Sequence, residues 1–284
     1  MQEVTLSNGV KMPILGFGVW DIGDAKTCQK AVEDAIAVGF RHIDTAQAYF
    51  NEEAVGAAIK ASGVKREELF VTTKLWLSHA SEEKAARAFE ESARKLGVGY
   101  LDLYLIHQPF GDLYGAWRAM SRLYREGRAR AIGVSNFFPD RVVDFCLNNE
   151  IRPMVNQIQI NPLHQQYSAQ KLNDEYGLVT QAWSPLANGK SGVLGDETLK
   201  KIAAKHGKTV AQVVSRWLVE RDVVVLTKSV EQTHMRENLD VFDFALDDED
   251  KKAILSLEDP KAFANHQDPE FVKYIIGLFK DKNM

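Results

Sequence analysis

Short apolar runs alternate with amphipathic stretches along nearly the whole chain, and this alternation is the strongest signal in it. Eight runs have the length and makeup of buried strands: residues 14–18, 42–45, 69–74, 101–107, 131–135, 155–160, 179–183 and 223–228. The stretches between them carry helix ends. Ser81 precedes Glu82 and Glu83, and that run closes through Arg94 and Lys95 at Gly97, so acid leads, base trails and glycine caps. Thr209 with Gln212 spells a capping box, and Pro139 with Asp140 opens another helix. Ahead of them all, Asn8-Gly9 between short alternating segments predicts a two-residue β-hairpin. Repeated strand-helix units imply parallel strands joined by right-handed crossovers, and eight of them close into a barrel. The expected architecture is α/β: a single (β/α)8 TIM barrel over residues 1–284, with the N-terminal hairpin and extra helices after strand 7 and near the C-terminus. A Rossmann sheet is the rival, but Gly16-Phe17-Gly18-Val19-Trp20-Asp21 has an aspartate where the third glycine of the phosphate fingerprint belongs.

Composition narrows the function classes. The 284 residues are 45% hydrophobic and 26% charged, which suits a chain with a sizeable core. A net charge of −4 with interspersed signs provides no field for nucleic acid or an anionic membrane. No apolar run approaches the roughly 18 residues of a spanning helix, and the N-terminus lacks a signal-peptide pattern. Cys28 and Cys146 fall in separate amphipathic segments without metal-ligand spacing, which fits free thiols and a cytoplasmic setting. No H-E-x-x-H or comparable signature joins the seven histidines, so no metal is expected. Oligomeric state is not legible, and a monomer is the default expectation.

In a parallel barrel the reacting groups lie where strands end. Here Asp44 closes one run with Tyr49 in its loop, Lys74 closes the next, and His107 closes the one after. Singly each has a plain explanation: an Asx-turn, a packed aromatic edge, a snorkelling lysine, a rim histidine. Together they complement one another. A phenol with a pKa of about 10 is a weak acid at neutral pH, an adjacent ammonium lowers that value, and a carboxylate keeps the ammonium charged. The set therefore reads as proton donor Tyr49, tuner Lys74 and partner Asp44, with His107 orienting a carbonyl. It supplies a proton and no electrons, so reduction requires a hydride donor.

The segment Gly39-Phe40-Arg41-His42-Ile43-Asp44-Thr45-Ala46, then Tyr49 and Glu53-Ala54-Val55-Gly56, resembles the signature of the aldo-keto reductases. Residues 101–109, Gly133-Val134-Ser135-Asn136-Phe137, and Lys228-Ser229-Val230 with Glu237-Asn238-Leu239 resemble further blocks of that family, most of all its 2,5-diketo-gluconate reductase and prostaglandin F synthase-like members. The resemblance runs from about residue 5 to Asp268. It implies NADP(H), with NAD(H) as a second candidate, across the barrel mouth. Ser135, Asn136 and Gln157 would hold the carboxamide, Trp183 would stack on nicotinamide where the family usually has tyrosine, and Ser184 and Leu186 would line the pyrophosphate. Lys228, Ser229, Val230 and His234 would lie near the 2′-phosphate, and Glu237 and Asn238 near adenine. In NADPH-specific relatives an arginine stands six residues after the block's lysine; here that position is His234. Histidine lacks arginine's permanent charge and planar donor fork, so relaxed cofactor preference is expected. Arg236 lies roughly 200° around a helix from His234 and does not replace it.

Trp20, Phe50, Trp76 and Phe110 are candidates for an apolar substrate wall, although any one could be core packing. Gln108 stands where many relatives have tryptophan, and the short loop it opens suggests an open pocket for small aldehydes, ketones or dicarbonyls. The tail around 263–274 is expected to shape substrate choice. The alternative is a non-catalytic nicotinamide-binding barrel serving as a regulatory subunit, against which the complete tetrad argues. A nicotinamide-free barrel isomerase or hydrolase is the more distant rival.

Overall fold

The computed structural model describes residues 2–187, 192–259 and 264–278. Strands β1 (Glu3–Thr5) and β2 (Lys11–Pro13) pair antiparallel, Val4 opposite Met12. Their connection differs from the expected two-residue turn. Leu6 N donates to Val10 O at 2.8 Å and Gly9 N to Leu6 O at 2.8 Å, so Ser7 and Asn8 take the corner and Gly9 follows at φ +87°. This is a three-residue loop ending in a left-handed residue, an arrangement that suits glycine after the Asn, whereas the two-residue type I′ turn that Asn-Gly favours needs positive φ at both.

Eight parallel strands then close on themselves: β3 (Leu15–Gly18), β4 (His42–Asp44), β5 (Phe70–Leu75), β6 (Leu103–Ile106), β7 (Ile132–Ser135), β8 (Val155–Gln159), β9 (Val179–Trp183) and β10 (Val224–Thr227), with β10 pairing back to β3. The strands are buried nearly throughout, as a parallel sheet covered by helices requires. Gly16 and Gly18 therefore lie within β3 and form no phosphate turn.

Six helices follow the first six barrel strands: α1 (Ala25–Val38), α2 (Glu52–Ala61), α3 (Glu82–Leu96), α4 (Leu113–Arg125), α5 (Pro139–Leu147) and α6 (Tyr167–Glu175). The expected extra helix after the seventh strand is present, because both α7 (Glu197–His206) and α8 (Val210–Val219) precede β10. Then come α9 (Gln232–Leu239), α10 (Asp248–Leu255) and α11 (Pro269–Gly277). The helix-end signals hold. The Ser81 side chain accepts from Lys84 N, Gly97 caps α3 at φ +65°, and both halves of the Thr209–Gln212 box form. At the N-terminal end of the barrel, buried Asp102 accepts from Val71 N and from Arg66 and Arg130, tying neighbouring strands together. Both cysteines are free and buried, and no described helix is long and apolar enough to cross a membrane.

Candidate active site

Parallel register carries successive strand ends to one rim. Asp44 ends β4, Lys74 lies one residue from the end of β5, and His107 follows β6 with its N–H donating to Leu75 O at 3.0 Å. Tyr49 arrives from a short 3-10 turn, Gln47–Tyr49, after which Phe50 sits at φ +56°. That turn is tied down by neighbours. Gln47 Nε2 donates to Ala88 O (3.0 Å) and Ser92 Oγ (3.2 Å) on α3, while its Oε1 accepts from Trp76 N (2.9 Å). Thr45 Oγ1 donates to Asn51 Oδ1 at 2.7 Å, and Asn51 Nδ2 donates to Val19 O at 2.9 Å.

Lys74 is fully buried, and its Nζ donates to Asp44 Oδ1 (2.5 Å), Thr45 O (2.9 Å) and Tyr49 Oη (3.3 Å). Three donors meet three acceptors, so the ammonium is satisfied within the protein. Burial opposes its charge, but Asp44 and then Tyr49 outweigh that and raise its pKa. The Tyr49 result departs from the sequence expectation of a lowered phenol. Burial pushes the pKa up, Lys74 pulls it back only in part, and the net shift is upward. His107 is held well below its usual pKa by burial, with Lys74 and His266 adding to the effect, so its ring is neutral at neutral pH. The ring meets Tyr49 and Trp76 edge-on at 5.5 and 5.1 Å.

These groups open on a cavity of about 810 Å3. Asp44, Tyr49 and His107 line it with Trp20 and Trp76, and so do Ser135, Asn136, Gln157, Trp183, Ser184, Leu186 and Lys228. A hydrogen-bonded floor joins them. Gln157 Nε2 donates to Asp44 Oδ2 (2.9 Å), Ser135 Oγ to Gln157 O (2.8 Å), Asn136 Nδ2 to His107 O (3.1 Å), and Trp183 Nε1 to Asn136 Oδ1 (2.9 Å). Asn136 and Ser184 stand at φ +62° and +55°, a strained region that clusters at functional sites. The Lys228 ammonium lies 5.5 Å from the centre of the Trp20 ring.

Ser229, Val230, His234, Glu237 and Asn238 do not line this cavity; they lead into or lie on α9, with His234 exposed and Asn238 buried. Two wall candidates are corrected. Phe50 is 55% exposed and faces a separate groove with His79 and Arg87, because its left-handed backbone follows the Tyr49 turn outward. Phe110 is absent from the cavity lining and instead stacks against His266, 6.4 Å between ring centres. The open pocket expected from Gln108 is likewise narrowed, because Ala264, His266, Phe271, Tyr274, Ile275 and Leu278 form a further wall. Phe263, at the start of the tail expected to matter, lies outside the described residues.

Sequence reasoning passed over Gln47, Asn51 and Thr45, which hold the Tyr49 turn, and Gln181, whose Oε1 accepts from Gln157 Nε2 at 2.9 Å. The signal available was the density of amide and hydroxyl side chains beside the tetrad, since a buried loop must satisfy its backbone somewhere.

Comparison with known proteins identifies the family. Residues 14–259 match the model of the Aldo/keto reductase family. A 9,11-endoperoxide prostaglandin H2 reductase of Trypanosoma cruzi is 44% identical over 94% of this chain and 95% of its own length. A glyoxal reductase of Bacillus subtilis is 45% identical over 89% of this chain and 92% of its own. The crystal structure of a Bombyx mori aldo-keto reductase in complex with NADP superposes with a TM-score of 0.89 at 34% identity, covering 96% of both chains. The matched barrel, with its buried lysine and carboxylate and half-buried phenol, belongs to a member of the aldo/keto reductase family.

Proposed function

We propose that this chain reduces small aldehydes, ketones and dicarbonyls to alcohols, taking hydride from NADP(H) and the proton from Tyr49. The observation that carries the reading is the chain Asp44–Lys74–Tyr49, at 2.5 and 3.3 Å, beside a neutral His107 in one cavity. The wall fits a nicotinamide. Ser135, Asn136 and Gln157 offer amide and hydroxyl groups for a carboxamide, Trp183 offers a flat ring, and the buried Ser184 Oγ has no hydrogen-bond partner among the described residues. Lys228 is the one cation among the described lining residues and suits a phosphate. When bound, the cofactor supplies the hydride that the protein's side chains cannot.

The remaining roles belong to this chain. Tyr49 is protonated at rest, because burial keeps its pKa raised, and its hydroxyl lines the cavity where a carbonyl would sit. Phenolate forms as that proton leaves, and Lys74 stabilises the new charge while Asp44 keeps the ammonium in place. His107, neutral, orients the carbonyl oxygen by hydrogen bonding. Glyoxal, named for the Bacillus relative, is a suitable first dicarbonyl. The buried free thiols suit a reducing compartment such as the cytoplasm.

The test is NADPH oxidation by the purified chain on adding glyoxal or an unhindered aldehyde. Saturable turnover supports the reading. Tight NADPH binding without turnover on any carbonyl would favour a non-catalytic subunit, and no nicotinamide binding would overturn the proposal.

A further inference from the structure

The C-terminal segment carries one polar ring into the cavity wall. His266 precedes α11, is 8% exposed, and lines the same cavity as Tyr49, Trp76 and His107. Aromatic rings fix its plane: Phe271 packs edge-on at 5.0 Å, Phe138 lies at 6.2 Å, and Phe110 stacks at 6.4 Å with 22° between planes. The segment is fastened to the barrel by Ala264 N, which donates to Gln159 Oε1 at 2.9 Å. This is a held side chain in a built wall.

Its protonation follows from geometry. Nδ1 lies 3.0 Å from Ala264 O, and a carbonyl oxygen can only accept, so Nδ1 carries the proton. Burial lowers the ring's pKa to about 4, leaving a single proton at neutral pH. Nε2 is then a bare acceptor, and among the described residues nothing hydrogen-bonds to it. Gln108 lines the same cavity, and among the described residues its buried Oε1 has no hydrogen-bond partner. An acceptor that lacks a donor presents a selective surface. A carboxylate there would meet lone pairs, and an alkyl group would leave an acceptor dry and unpaired. A hydroxyl satisfies it.

We propose that His266 is a specificity-determining residue that accepts a hydrogen bond from a substrate hydroxyl, so the chain favours carbonyl compounds bearing a free hydroxyl, the hydroxyaldehydes and hydroxyketones. The proposal rests on the carbonyl-reductase reading above and names the substrate class within it.

The experiment compares kcat/KM for matched pairs, glyceraldehyde against propanal and hydroxyacetone against butanone, in the wild type, His266→Phe and His266→Gln. Phenylalanine keeps the aromatic packing and deletes the acceptor; glutamine restores one. The wild type is expected to favour the hydroxylated member. His266→Phe should lose about tenfold on hydroxylated substrates, mainly through KM, with the deoxy partners nearly unchanged, and His266→Gln should recover part of the loss. An equal effect on both members of each pair, or none, overturns this inference while leaving carbonyl reduction intact. A wild type that reduces glyoxal but none of the four compounds also overturns this inference, whereas failure on glyoxal as well removes the carbonyl-reductase reading itself, and this one with it. A readout independent of variant folding is 15N NMR of His266 in the wild type. A neutral ring protonated at Nδ1 is expected, and an Nε2–H tautomer or an imidazolium at neutral pH overturns the proposal.

Discussion

At the scale of single residues the proposed chemistry depends on one proton and the charge beside it. Tyr49→Phe removes the hydroxyl at 3.3 Å from Lys74 and little volume. It should retain NADPH binding and lose most turnover with a good aldehyde, measured in one preparation by fluorescence titration and steady-state rate. Lys74→Met tests the tuning. Lys74 lowers the phenol's pKa against burial, so without it the phenol holds its proton to higher pH, and the alkaline limb of the residual pH-rate profile should move upward. The same change strands the buried Asp44 carboxylate and should cost about 3 kcal/mol of stability in denaturant unfolding. His234, exposed on the first turn of α9, tests cofactor choice. His234→Arg should tighten NADPH by about 1 to 2 kcal/mol through a charge-assisted fork and leave NADH nearly unchanged. Equal shifts in the two dissociation constants would remove His234 from the phosphate site. Asp44 and Lys74 were legible in the sequence because they close strand-like runs, and Tyr49 because it follows in the loop of one; His234 came from the family resemblance alone. The net rise of the Tyr49 pKa was not, since burial belongs to the surroundings and not to the residue.

At the scale of elements, the Tyr49 turn is only as well placed as the helices behind it. Gln47 joins that turn to α3 and to the backbone of Trp76, and α3 packs against α2 through Gly56. A Cβ on Gly56 would lie 2.6 Å from Lys95 O and 2.7 Å from Leu96 O, contacts with helix backbone that cannot rotate away. Gly56→Ala should therefore destabilise by about 1 to 3 kcal/mol, seen as a lower thermal midpoint, although alanine is the better helix former. An unchanged midpoint would mean that α2 can slide on α3. Helix starts and stops were readable because a cap is a local contract between neighbours in sequence, as Ser81, Gly97 and Thr209 show. The hairpin was read one residue out, because Asn8-Gly9 fits two loop types and strand pairing selects between them. Phe50 was misplaced for a similar reason: its side chain follows a left-handed backbone, and no spacing rule announces one.

At the scale of the whole molecule, buried neutral histidines make the fold sensitive to acid. His42 lies inside the barrel with no exposure, its Nε2 3.1 Å from Thr72 Oγ1 and its ring against Phe70, and burial lowers its pKa to about 4. In the unfolded chain a histidine binds its proton near pH 6.5. The folded state therefore binds fewer protons, and the stability this difference provides is complete above about pH 6.5 and is lost as pH falls toward 4. By pH 5 the loss from His42 alone is on the order of 2 kcal/mol. The thermal midpoint should fall across that window, and His42→Asn should flatten the fall; a midpoint independent of pH there would contradict a neutral buried His42.

The sequence by itself determined the alternation of strands and helices, the caps, and the polar residues that end successive strands. These follow from local sterics, hydrogen-bond satisfaction and a periodicity that neighbouring residues carry. Only the tertiary structure decided what burial does to those groups and which distant segments meet. Barrel closure sets β10 against β3, lets Gln157 reach Asp44 across the mouth, and leaves the C-terminal segment to wall the cavity with His266. Such contacts join residues far apart in the chain, and their energy comes from excluding water between surfaces that exist only once the barrel has closed.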